Sequence, residues 1–188
     1  MRDRKSMSAS SVSLLSVLRR PRHGAAAPAR TGDPAVTTHR VTYSDRLRVF
    51  LRPDEPIDSF LRPLDRLDGF HRYSVNMTRL AEPMRPADID PAISSAPGRE
   101  YLQCTGSADA LTLEVRTTVE GTPHRFTVGL PGQRLGLPRL DVPVPACVPT
   151  PRVYPDELFT AEQAAEIFTA YFETGAVPSQ LQLRETDA

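Results

Sequence analysis

The chain has 188 residues, with 23 Lys+Arg against 23 Asp+Glu, so it carries no net formal charge at pH 7. Hydrophobic residues make up 39% and tryptophan is absent, which limits the chain to one domain with a modest core, or to one domain and a tail. No apolar run approaches the ~18 residues of a membrane-spanning helix; the longest near the start, SVSLLSVL, is short and interrupted by serines.

Charge is unevenly spread. Residues 1–37 hold seven Lys/Arg and two Asp, a net of +5, whereas residues 154–188 hold seven acids and one arginine, a net of −6. The 19 prolines imply many irregular connections, and the bias toward Ala, Pro and Arg, with Lys5 as the single lysine, is that of a GC-rich genome. Cys104 and Cys147 lie far apart and follow no clear secretory signal, so both are expected as reduced thiols of a cytoplasmic protein.

Residues 1–37 are rich in Ser, Arg, Ala and Pro and show no sustained period, so a disordered basic tail is expected there. A nucleic-acid-binding arm, a targeting peptide and a translation start further along, at Met7 or Val36, are the competing readings of that segment. The ordered domain is expected over residues 38–188. HRVTYSDRLRVFL reads as a strand, with Val41, Tyr43, Leu47, Val49 and Leu51 in near-alternation. Ile57, Phe60, Leu61, Leu64 and Leu67 then fall at helical spacing, with Asp58 or Ser59 as cap and Gly69 as stop; Pro63 makes this helix short or late. HRYSVNMTRL alternates again, as a strand does. AEPMRPADIDPAISSAPG reads as a loop. EYLQCTG, ALTLEVRTTVEG and HRFTVGL read as strands, the last two joined as a hairpin through EGTP.

A second Pro-rich connection leads to LFTAEQAAEIFTAYFETGAVP, which carries the clearest signals in the chain. Thr160 and Gln163 form a capping-box pattern, Glu162 suits the first turn, and Gly175 and Pro178 mark the stop. A helix over Ala161–Thr174 places Ala161, Ala164, Ala165, Ile167, Phe168, Tyr171 and Phe172 on one face and Glu162, Glu166 and Glu173 on the other. QLQLR closes the chain as a strand. Two helices among hairpin-linked strands give an α+β fold with a mostly antiparallel sheet.

Catalytic motifs are absent. His23, His39, His71 and His124 show no metal-ligand spacing, there is no C-x-x-C, no G-x-G-x-x-G, no P-loop and no G-x-S-x-G elbow. Cys104 with His71 or His124 reads as a buried strand cysteine rather than a nucleophile pair. Asp65 and Asp68, interleaved with Arg62 and Arg66, read as a salt-bridged surface. No patch combining aromatic and basic residues points to nucleic acid. No catalytic residue, cofactor or metal is therefore assigned.

LTLEVRTTVEGTPHRFTVGL followed by FTAEQAAEIFTAYFETGAVPSQLQL resembles the Imm1-type immunity proteins of bacterial polymorphic toxin systems, and PIDSFLRPLDRL before RYSVNMTRL fits the same layout. Leu183 stands near the position where that family carries a tryptophan. The resemblance, over about Thr38 to Arg184, implies a small α+β protein that binds and neutralises a cognate toxin and has no catalytic residues. Asp156, Glu157, Glu162, Glu166 and Glu173 are then the candidate partner-binding residues, facing a basic toxin domain; the plain alternative is a solvated helix face. A small-molecule binder or an enzyme with a dispersed site is the competing function.

Overall fold

The computed structural model describes residues 36–89, 100–149 and 152–186. Residues 1–35, which hold nearly all of the expected tail, lie outside the described residues, and Thr37 already stands in the first strand.

Seven strands form one antiparallel sheet: β1 (Thr37–Tyr43), β2 (Leu47–Leu51), β3 (Ser74–Met84), β4 (Tyr101–Ser107), β5 (Ala110–Val119), β6 (Thr122–Gly129) and β7 (Gln182–Glu185). Their order across the sheet is β2-β1-β3-β4-β5-β6-β7. Among the described residues two α-helices accompany them, α1 (Asp58–Leu61) and α2 (Ala161–Thr174), so the fold is α+β as the sequence implies.

The alternation of side chains builds the core on one face of this sheet. Val75, Cys104, Leu113 and Val128 stand directly opposite one another across four strands, and all four are fully buried. The next row on that face is Val41, Met77, Leu102 and Val115, again buried. The intervening row and the one beyond point the other way and are polar: Asn76, Gln103, Glu114 and Thr127 in the first, Thr78, Tyr101, Arg116 and Arg125 in the second. Helix α2 lays Ile167, Phe168 and Tyr171 onto the apolar face, joining the same cluster. Burying Ile167 and Phe168 alone contributes about 1.5–3 kcal/mol each.

Helix α2 begins and ends where its signals place it. The Thr160 side chain accepts from the Gln163 N–H, the Gln163 side chain accepts from the Thr160 N–H, and Gly175 closes the helix at φ +76°. Its entry is also tied to the sheet. Leu111 and Phe159 exchange two backbone hydrogen bonds of 2.9 and 2.8 Å, and the Ala161 N–H donates to the Ala108 carbonyl at 2.8 Å.

Four sequence expectations are corrected. HRVTYSDRLRVFL is not one strand but the hairpin β1–β2, turned at Ser44 and Asp45 with φ +46° and +57°. Left-handed serine is held there by its own side chain: Oγ accepts from the Tyr73 and Ser74 N–H groups at 2.9 and 3.3 Å. The early helix is short, as Pro63 implies: the single turn α1 continues as a 3-10 helix over Arg62–Arg66, because Pro63 offers no N–H. Neither Asp58 nor Ser59 caps it; Ile57 holds the N-cap position without a side-chain bond. Asp68 does not join a surface with Arg62 and Arg66. Its Oδ1 accepts from the backbone N–H of Phe70, His71 and Arg72, which holds the carboxyl well below the usual range. Strand β3 also runs on to Met84, into the stretch read as loop.

The caps of α2 are testable. Thr160→Ala is expected to cost about 1 kcal/mol through loss of the N-cap bond. Gly175→Val is expected to cost about 1–3 kcal/mol, because a β-branched residue resists positive φ. Urea unfolding midpoints of the two variants check both values.

Candidate partner-binding face

Glu162, Glu166 and Glu173 are all exposed on the outer side of α2. Beside them run α1 and the 3-10 turn that follows it. Between these elements lies a groove of about 840 Å³. Its apolar lining comes from Leu61, Ala161, Ala165 and Ala170, small side chains that leave the α2 backbone within reach of a partner. Its charged lining comes from Asp58 and Asp65 on one side, the three glutamates on the other, and Arg62. Five carboxylates against one guanidinium make this a strongly negative surface. Glu162 and Glu166, four residues apart, repel by a few tenths of a kcal/mol. Asp58 in α1 and Asp65 in the 3-10 turn both reach the groove, a contribution the linear pattern of acids did not reveal.

Asp156 and Glu157 do not belong to this surface. Glu157 is fully buried. Arg184 grips its carboxylate with two bonds, Nε to Oε1 at 2.7 Å and Nη2 to Oε2 at 2.8 Å. Arg134 Nη1 stands 3.4 Å from Oε1, and the Tyr154 N–H donates to Oε2 at 2.9 Å. Asp156 is taken by Arg134 Nε at 2.7 Å. The Tyr154 ring lies 5.6 and 5.5 Å from the two guanidinium carbons. Sequence alone groups Asp156 and Glu157 with the helix acids. The structure separates them, because a buried carboxylate must be paired and the arginines that pair it come from a loop and from the last strand. Gly129 makes room for this: a Cβ there would meet the Arg134 guanidinium. The available signal was Arg184, the one basic residue in an acidic terminus.

A second cavity, of about 410 Å³, lies at the C-terminal end of α2, with Glu173 shared between it and the groove. Thr38, His39, Arg79, Leu80, Phe172 and two prolines, Pro53 and Pro83, line it. His39 is only 5% exposed, and its ring centroid is 4.7 Å from that of Phe172. Nδ1 is 2.9 Å from Thr38 Oγ1, whereas Nε2 is buried and finds no hydrogen-bond partner among the described residues. Burial, aided by the nearby Arg79 charge, pushes the imidazole pKa down to about 4, so the ring is neutral at pH 7. Nothing in the neighbourhood of His39 along the chain marks it for this position.

Cys104 is buried in β4 and its thiol is pushed up to about 12 by burial, which leaves no thiolate for nucleophilic chemistry. Cys147 is a free, exposed thiol. Among the described residues no three His, Cys, Asp or Glu side chains gather as a metal site, and no helix is long and apolar enough to cross a membrane. Comparison of the chain with known protein families, curated proteins and solved structures finds no match.

Removing one partner from a buried ion pair strands the other charge, at a cost of about 3–5 kcal/mol. Glu157→Ala is therefore expected to lose that much stability, whereas Glu162→Ala stays within about 0.5 kcal/mol of the parent; denaturant titration separates the two. His39 supplies a pH signature. Its pKa falls from 6.5 in the unfolded chain to about 4 in the fold, so between those values the unfolded chain binds the extra proton. Its contribution is full above pH 6.5 and is lost as pH falls from 6.5 toward 4. Arg79 beside the ring adds to the loss. The stability difference between His39→Phe and parent should change over that window and be flat above it.

Proposed function

We propose that the protein binds a cognate bacterial toxin in the cytoplasm and neutralises it by direct contact, without catalysis, in the manner of the Imm1-type immunity proteins its sequence resembles. The observation that carries this reading is the groove beside α2, apolar at its centre and bordered by Asp58, Asp65, Glu162, Glu166 and Glu173. Toxins that act on nucleic acids tend to be basic where they hold their substrate. An acidic, partly apolar surface is drawn to such a region by long-range attraction and covers it on docking. The order of elements supports the same reading: a capped helix, the Gly175 stop, Pro178 and a closing strand follow the layout of that family.

The experiment is co-expression with the toxin-like product of an adjacent gene, with growth rescue as the readout, followed by stopped-flow association of the purified pair at several salt concentrations. Glu162→Lys with Glu166→Lys leaves folding intact, because both side chains are exposed. The double variant is expected to slow association by about tenfold at low salt and to flatten its salt dependence. Unchanged association rate and salt slope would reduce the stripe to a solvated face.

A further inference from the structure

The cavity at the end of α2 holds two opposite charges that do not meet. Arg79 and Glu173 both line it, yet neither makes an ion pair or side-chain hydrogen bond with any described residue. A cavity of about 410 Å³ falls within the range of about 300–1,000 Å³ that small-molecule sites occupy. The rest of the lining is largely apolar, from Leu80, Pro53, Pro83 and the ring of Phe172. His39, buried and neutral, forms part of that wall.

We propose that this cavity binds a free α-amino acid with an apolar side chain, its carboxylate at Arg79 and its ammonium group at Glu173. Each unpaired charge then gains a partner, and a molecule with only one charge satisfies only one of them. The guanidinium of Arg79 lies against Gly175 and the ammonium site at Glu173 is in the last turn of α2, where the helix dipole favours positive charge. The apolar side chain of the ligand packs on Phe172, Leu80 and the prolines. His39, neutral at pH 7, adds no competing charge. Absence of a Cβ at Gly175 is what lets the Arg79 side chain reach this position. The proposal goes beyond toxin binding and does not rest on it; the two surfaces share only the edge formed by Glu173.

L-phenylalanine is the probe, with 3-phenylpropionate and phenethylamine as analogues that keep one charge each. Calorimetric titration of the full chain gives the affinities, and the imidazole NMR signals of His39 report whether this cavity is the one filled. L-phenylalanine is expected to bind at least about tenfold more tightly than either analogue and to shift the His39 signals. Arg79→Gln should weaken L-phenylalanine and 3-phenylpropionate by about tenfold and leave phenethylamine unchanged; Glu173→Gln should do the converse. Both side chains are exposed, and an unchanged unfolding midpoint in each variant shows that the fold is kept. Equal binding of all three compounds, failure of L-phenylalanine to move the His39 signals, or insensitivity to Arg79→Gln would each overturn the proposal.

Discussion

The fully buried carboxylate of Glu157 joins parts of the chain that are distant in sequence. It lies just before α2, yet its partners are Arg134 in the connection after β6 and Arg184 in β7. A desolvated carboxylate without partners costs several kcal/mol, so the chain reaches its native arrangement only when both arginines are in place. Meeting that requirement fixes the loop after β6, seats β7 along the edge of the sheet, and sets the start of the Phe159–Ala161 segment that hydrogen-bonds to Leu111 and Ala108. The position of α2, and with it both the groove and the cavity, follows from this arrangement.

Much of this fold is legible in the sequence, and the parts that are not have a common cause. Helix α2 could be bounded at both ends because its caps are local: Thr160 and Gln163 are three residues apart, and Gly175 acts through its own backbone. Strands β4 to β6 were legible because alternation is local too. The β1–β2 turn was not, since Ser44 and Asp45 tolerate positive φ only with help from Tyr73 and Ser74, almost thirty residues away. Glu157 was misplaced for the same reason. An acid beside a helix start looks like a surface acid until the arginine that buries it is known, and Arg184 is on another strand.

The candidate sites divide in the same way. The outward direction of Glu162, Glu166 and Glu173 follows from helical periodicity. That Asp58 and Asp65 stand across from them depends on how a proline-interrupted turn packs beside α2. The pairing of His39 with Phe172 and Arg79 depends on three elements meeting at one corner, β1, β3 and the end of α2. Helix α2 thus serves three surroundings at once: the core beneath Ile167 and Phe168, the groove along its glutamates, and the cavity at its last turn.

The route of the chain from β6 to β7 sets an order of assembly. Hairpins β1–β2 and β5–β6 close over a few residues, and loop-closure entropy for such short spans is small. Strand β7 pairs with β6 only after the chain has passed through the Pro-rich connection and the whole of α2, with Phe126 opposite Glu185. During synthesis the central hairpins are complete while β6 is still an open edge, a template for pairing with another chain. The strand that covers this edge also carries Arg184, which neutralises Glu157. Pairing of β6 and neutralisation of the interior carboxylate therefore occur together, and a sheet without β7 lacks both.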